Sequence, residues 1–457
     1  MVVNLFSETI GNEDTIHVLR PPSRIALDRV AVIILGGGEG VRLKPLTKTR
    51  CKPAISFGGR YSLIDIPISH SLTTGLSKIF VIGQYLAYTL QKHLVQTYFY
   101  HGISQNQIQL LVPEERNGKK IWYKGTADAI RQNIGYFSET PADYFLILSG
   151  DQLYNINFQK MINFGIDTDA GMVIAAQPVN KKDAQRMGLL KIEHGGSRIF
   201  DFYEKPHDES TLKRFHTDAF TLNRLGYEGK DGKHYLGSMG IYLFKRQVLF
   251  DLLKEDLRDD FGKHLIQTQM KKENVHAFLY DGYWEDIGTI ESYYHANLAL
   301  TRIEDDRKTG LQCYDEGELI ITKRYNLPGA KISDCKMEGT ILCEGSVIEA
   351  KEIVHCVVGV RSVVQEGTVI RDSILLGNEY YERPPLASGD SPFRPGIGKN
   401  CRIERAIIDE NVTIGDNVLL LNRHGHANFE SLDGLVIVRD GIIIVPRGAH
   451  IPTNYIF

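Results

Sequence analysis

Residues 30–35 read VAVIIL, an unbroken apolar run of the kind that a strand covered on both faces requires. Similar runs recur at 78–82, 144–148 and 172–176. Between them the apolar positions shift to a spacing of three and four, as at 85–98 and 126–137, which predicts helices. Strands that alternate with helices predict an α/β fold, a Rossmann-like domain on a mostly parallel sheet with helices on both faces. In such sheets ligands gather beyond the carboxyl ends of the strands, where the connecting loops diverge. Two loops, 36–42 and 149–154, directly follow predicted strands.

The pattern changes after residue 305. From residue 330 onward β-branched apolar positions recur between short polar turns, in segments such as GSVIEA, VVQEGT, VIRDSI, IERAII and DENVTI. They approximate a hexapeptide repeat, whose coils bury little alone and share one apolar column when stacked. The prediction is a parallel β-helix, with a sandwich of short strands as the alternative. Residues 377–396 carry Pro384, Pro385, Pro392 and Pro395 and predict a loop ejected from the stack. The expected division is an extension at 1–29, an α/β domain at 30–305, a linker at 306–329 and the β-helix at 330–457.

A chain of 457 residues exceeds one compact core, since domains usually hold ~100–200 residues. Its 53 Lys and Arg nearly balance 56 Asp and Glu, for a formal charge of −3. No global field favours nucleic acid or an anionic membrane, so an anionic ligand must be held by local cations. The six cysteines form no C-x-x-C pair and are too sparse for a disulfide scaffold, so reduced thiols are expected. The first 28 residues lack the apolar core of a signal peptide. No apolar run approaches the ~20 residues of a membrane span. These features predict a cytoplasmic protein.

Five motifs carry candidate chemistry. Residues 36–43 read GGGEGVRL and are followed by KPLT and then Lys52-Pro53. Glycines let backbone N–H groups approach a phosphate chain, and Arg42 and Lys52 add positive charge beside it. Neither a P-loop nor a dinucleotide fingerprint fits this spacing. The second motif, SGDQLY at 149–154, places Asp151 at a strand's carboxyl end, where it can hold Mg²⁺ or cap the next helix. The third, YWEDIGT at 283–289, offers Asp286 as a second metal carboxylate or as the start of a helix over 289–301. In the fourth, FYEKP at 202–206, Glu204 and Lys205 suit sugar hydroxyls and a sugar phosphate, or form an exposed ion pair. The fifth, WYKGTADAI at 122–130, opens a helix with small residues that either admit a base or ribose or pack tightly.

Together these residues resemble the ADP-glucose pyrophosphorylase family of the sugar-nucleotide pyrophosphorylase superfamily, over about residues 30–457. The glycine loop, the Asp after a strand and the E-K-P motif are common to the superfamily. WYKGTADAIRQ, SGDQLY, GSMGIYLF, YWEDIGTIESYYHANLAL and the β-helical tail are similar to the ADP-glucose branch. The resemblance implies a nucleotidyltransferase domain followed by a left-handed parallel β-helix. It implies the conversion of ATP and glucose 1-phosphate to ADP-glucose and pyrophosphate, with Mg²⁺, for glycogen or starch synthesis. Arg42, Lys52 and Asp151 would be catalytic, and Asp151 and Asp286 would bind the metal. Leu35, Gly36, Gly37, Gly38, Gln84 and Gly125 would line the ATP site. Tyr123, Gly188, Glu204, Lys205 and Ser238 would surround glucose 1-phosphate. Arg50, Arg439 and Arg447 would hold an anionic glycolytic effector, and a homotetramer is expected.

The chain departs from the family at Val41, where a Thr is usual, at Ser62, where an Arg is usual, and at Ser69-His70-Ser71 in place of S-N-C. Two other functions therefore stay open: a related pyrophosphorylase with another nucleotide or sugar, and a catalytically weak regulatory subunit. A β-helical acyltransferase would need a catalytic His, for which His424 and His426 are the candidates.

Overall fold

The computed structural model describes residues 27–457, except 117–118, 121, 228–231, 273, 304–309, 315–318 and 384–392. Most of the expected extension, and parts of the expected linker and ejected loop, lie outside the described residues.

Val30–Leu35 forms the centre of a 9-stranded sheet, with Ile79–Ile82 and Tyr144–Ser149 parallel on its two sides. Its side chains alternate between two apolar layers. Val30, Val32 and Ile34 join one core and Ala31 and Ile33 the other, all at 0% exposure, which is why the strand reads as a continuous apolar run. Ile108–Leu111 continues the parallel set outside Ile79–Ile82. On the other side Tyr235–Lys245 runs antiparallel to Tyr144–Ser149 and pairs with Met172–Val179 and Gly188–Ile192. Tyr235–Lys245 and Ile199–Glu204 oppose the common direction of the other described strands. The sheet is thus mostly parallel, with a mixed flank that the apolar runs alone did not reveal.

The helix expected over 126–137 is two helices, Thr126–Gln132 and Ile134–Glu139. Asn133 leaves helical geometry at ψ 10° and donates its side-chain amide to Ala129 O at 2.8 Å. A side chain that competes for backbone partners breaks the helix there.

The carboxyl-terminal part is a parallel β-helix. Ile332, Ile348, Val364, Ile397, Ile414 and Ile451 stand in one register column on successive coils. Lys331 faces Val347 and Val347 faces Val363, a 16-residue step, whereas Val364 faces Ile397 across a 33-residue step. The longer step contains the expected loop. Its base is closed by paired backbone bonds between Arg383 and Phe393, at 2.9 and 3.1 Å. A hairpin that the repeat did not predict is also inserted. Phe429–Glu430, Ile437–Arg439 and Ile442–Val445 pair antiparallel before the stack resumes. The helix Ile290–Ala299 joins the two parts: Tyr293 and Tyr294 are buried, and Tyr294 Oη donates to Asp372 O at 2.5 Å.

Candidate functional site

Three strand ends are tied at one level. Gly36 N donates to Ile82 O at 2.8 Å, and Gly150 N donates to Leu35 O at 2.9 Å. A Cβ on Gly36 would stand 3.1 Å from Pro53 Cγ, and one on Gly150 would stand 3.3 Å from Leu35 O, so both glycines permit close approach of neighbouring loops. A Cβ on Gly38 would meet nothing within 4 Å, so that residue faces open space, and one on Gly37 would face the Gln84 side chain at 3.7 Å. At Gly40, φ is +68° and a Cβ would meet Thr47 Cγ2 at 2.8 Å, so glycine is required for the turn that launches Val41–Leu43. Arg42 sits on that turn.

Lys52 reaches across the loop to the Asp151 carboxylate, whose other oxygen accepts from the Ser149 hydroxyl. Ile287 N donates to Asp151 O at 3.1 Å, and Asp286 stands opposite Gln152 in a short antiparallel ladder. The two acidic motifs, far apart in the chain, thereby meet. A Cβ on Gly288 would lie 3.2 Å from Arg42 Nη2 and 3.3 Å from Asp286 Oδ2, which brings the Arg42 guanidinium and the Asp286 carboxylate to the same glycine. Asp286 is exposed to water, yet it lies beside the Asp151 motif and the protein around it displaces part of its solvent. That loss of solvent raises its pKa; Asp151 raises it further, and Lys52, Arg42 and Lys205 pull it back. Two carboxylates and three cations therefore act on one point.

The structural alternatives for both acids do not fit. Asp151 is followed by the strand Gln152–Tyr154, and the next helix, Phe158–Asp167, is capped by Asn157, which accepts from Lys160 N at 3.1 Å. The helix Ile290–Ala299 is capped by Thr289 and Ser292, not by Asp286. No group of three or more His, Cys, Asp or Glu suited to a metal exists among the described residues. Two facing hard carboxylates fit Mg²⁺, which takes one or two protein carboxylates and draws its other oxygens from phosphate and water.

Beside this cluster Glu204 ends its strand opposite Gly188, and Lys205 follows at φ +50° with Nζ 3.6 Å from Glu204 Oε1. A Cβ on Gly188 would meet Phe202 Cζ at 2.5 Å and Glu204 Oε2 at 2.7 Å, so that glycine makes room for the carboxylate. Burial raises the Glu204 pKa, Lys205 lowers it, and Asp260 raises it again. Ser238 accepts from Gly240 N at 3.3 Å and bonds to the Tyr242 hydroxyl, which lies within reach of Glu204's charge. Gln84 clamps Tyr123, accepting from its N at 2.6 Å and donating to its O at 3.4 Å. Gly125 is pressed against the backbone of Asp259, whose carbonyl accepts from Ala127 N at 2.8 Å. Its small size thus serves the packing of the helix start. Sequence reasoning missed Ser149, Gly288, Asp260 and Gly262, although the first two lie inside quoted motifs. Gly262 is a neighbour of Glu204, with a Cβ 3.3 Å from Oε2.

Residues 31–303 match the family described as nucleotidyl transferase. The chain belongs to that family. Residues 324–456 match the GLGC left-handed parallel beta-helix domain, which gives the β-helix its hand. A nucleotidyl transferase domain joined to this β-helix is a sugar-nucleotide pyrophosphorylase architecture.

The nucleotidyl transferase domain meets the β-helix at a cleft of about 140 Å³ lined by Arg50, Ser62, Lys92, Lys323, Arg361 and Arg447 among others. Arg50 is buried against Asp409 and Glu410, and Arg447 pairs with Glu379 at 2.6 Å and Glu410 at 3.1 Å. Arg439 is not among the cleft-lining residues; it stays on the hairpin, donating to Val438 O at 2.9 Å and Phe429 O at 3.2 Å. The structure therefore brings Arg50 and Arg447 together and leaves Arg439 elsewhere. Val41 is 56% exposed on the nucleotidyl transferase glycine loop. His426 stacks on Phe429 at 4.7 Å and Phe457 at 6.1 Å at the end of the β-helix, with His424 5.7 Å away, a packing arrangement. No helix among the described residues is long and apolar enough to cross a membrane.

Proposed function

We propose that this chain is a glucose-1-phosphate adenylyltransferase that converts ATP and glucose 1-phosphate to ADP-glucose and pyrophosphate. The observation that carries the reading is the convergence of Asp151 and Asp286 with Lys52, Arg42 and Lys205 beyond the strand ends. An anionic triphosphate needs such cations, and the paired acids suit its divalent counter-ion. Similarity to the ADP-glucose branch in WYKGTADAIRQ and SGDQLY, together with the match to the GLGC domain, supports adenine and glucose as the preferred partners.

In this reading Arg42 and Lys52 face the triphosphate. Gly36, Gly37 and Gly38 turn their backbone toward it, and Leu35, Gln84 and Gly125 flank the nucleoside. Tyr123, Gly188, Glu204 and Ser238 surround the sugar, and Lys205 faces its phosphate. An oxygen of the sugar phosphate attacks the α-phosphorus in line. The bond from that phosphorus to the bridging oxygen of the β-phosphate breaks, and pyrophosphate leaves with the electron pair. The nucleophile is already an anion, so no general base is required, and the protein contributes alignment and charge neutralisation. Asp151 and Asp286 are the residues to hold Mg²⁺, which when bound supplies positive charge at the phosphate oxygens. A homotetramer, a cytoplasmic setting and control by a glycolytic anion near Arg447 belong to the same proposal.

The test is pyrophosphate release from ATP, UTP, dTTP and GTP, each with glucose 1-phosphate and Mg²⁺. ATP is expected to give the highest kcat/KM. Preference for another nucleotide would replace the substrate assignment, and no release with any of them would overturn the activity.

A further inference from the structure

Lys52 sits on a single turn, Lys52–Ala54, and one corner of the β-helix holds the chain on both sides of that turn. Ahead of it Arg50, 3% exposed, pairs with the Asp409 carboxylate and, at 2.9 Å, with Glu410 Oε2. Behind it the Ser56 hydroxyl donates to Glu410 Oε1. The corner itself is firmly set. Asp409 follows Ala406–Ile408, a strand in register with Ile442–Val445, and Asp409 N donates to Val445 O at 3.0 Å. Glu410 N donates to Asp409 Oδ1 at 2.6 Å, and Arg447 pairs with the same Glu410 Oε2 as Arg50, at 3.1 Å. A guanidinium as deep as Arg50 cannot leave these partners without exposing unpaired buried charge, so the segment has little freedom to shift. The turn between the two grips carries the ammonium group that faces Asp151.

We propose that Asp409 and Glu410 are positioning residues for Lys52, so that the β-helix sets the geometry at the phosphate end of the active cleft. This rests on the role given to Lys52 above. An interdomain staple with no bearing on the chemistry is the competing account, and the two differ in how substitutions combine. Displacement of a catalytic group by about 1 Å costs up to ~100-fold in rate. Loss of a mere staple instead leaves kcat unchanged or scales it by one common factor, whether or not Lys52 is present.

The experiment uses the full chain with MgATP and glucose 1-phosphate, following pyrophosphate release. The pair Ser56→Ala/Glu410→Gln removes the rear grip and one charge while leaving Asp409 to neutralise Arg50. It is expected to lower kcat by about 10- to 100-fold with KM for glucose 1-phosphate nearly unchanged. In a Lys52→Ala background the same pair should change kcat less than about twofold, because the group that it positions is gone. Amide hydrogen exchange should quicken at residues 50–56 and stay as in wild type at 144–149. Equal fold-losses in both backgrounds, or unchanged exchange at 50–56, would overturn the inference. Should the double variant not fold, Ser56→Ala alone carries the same expectations. If Lys52→Ala is as fast as wild type, the role of Lys52 fails and takes this inference with it. If Lys52→Ala is slow and the corner variant is not, this inference alone fails.

Discussion

The amide of Ile287 donates to the carbonyl of Asp151 at 3.1 Å, and with the Gln152–Asp286 register this one bond stitches the second acidic motif to the first. Its consequence is electrostatic. Asp286, though exposed, loses part of its solvent to the surrounding protein and feels the like charge of Asp151, and the cations Lys52, Arg42 and Lys205 only partly offset both. Two carboxylates kept in opposition in this way suit a divalent cation, which relieves both at once.

Asp151→Asn should lower kcat by about 100-fold or more, the usual scale for loss of one preorganised charge-stabilising group. Far- and near-ultraviolet circular dichroism should match wild type, because the substitution is near-isosteric at a loop. Turnover close to wild type at saturating Mg²⁺ would remove Asp151 from the machinery.

Lys205→Ala should raise KM for glucose 1-phosphate roughly 10-fold or more and leave KM for ATP nearly unchanged, the signature of lost ground-state binding. A shift in the ATP KM alone would assign Lys205 to the nucleotide.

Gly188→Ala tests the space beside Glu204. The added methyl would meet Phe202 Cζ at 2.5 Å and Glu204 Oε2 at 2.7 Å, so the carboxylate must move. Overpacking of this kind costs about 1–3 kcal/mol. Denaturant melts should report that loss, and KM for the sugar phosphate should rise with it. An unchanged sugar KM would separate Glu204 from sugar binding.

Asp286→Asn should stabilise the metal-free protein while abolishing most activity. The wild-type folded pKa is raised, so ionisation is penalised in the fold. That penalty is present in full above the folded pKa and vanishes below about pH 4, where the unfolded carboxyl is also protonated. In the absence of divalent cations Tm at pH 7 should exceed that of wild type, by a margin that solvent screening at this exposed position keeps small. The gain should shrink as pH falls toward 4. Equal Tm values at pH 7 would count against strain between the acids.

His70→Asn should flatten the acid sensitivity of folding. Burial lowers the His70 pKa to about 4, and Nε2 has no hydrogen-bond partner among the described residues. A neutral buried His loses stability as pH falls below the unfolded value near 6.5, by about 3 kcal/mol once pH 4 is reached. Denaturant melts between pH 7 and 4.5 should show a smaller slope in the variant. Identical slopes would place the acid sensitivity elsewhere.

Residue type along the chain was enough to specify the layers of this protein. Val30–Leu35 is apolar throughout because both faces of its strand are covered, and that local demand is written directly in residue type. The repeat after residue 330 is legible for the same reason, since each coil contributes the same buried column. The glycine loop and the Asp after a strand were legible as motifs because backbone approach restricts residue type at single positions. Which of these positions meet in space was decided by the folded chain alone. Asp151 meets Asp286 through a two-strand ladder, Arg42 reaches Gly288 across a turn, and Asp409 closes on Arg50 from the other domain. The fold also separated Arg439 from Arg447, because an inserted hairpin carries one of them away from the stack while the other returns to it. Such pairings arise from chain crossings over hundreds of residues, and no local periodicity encodes them.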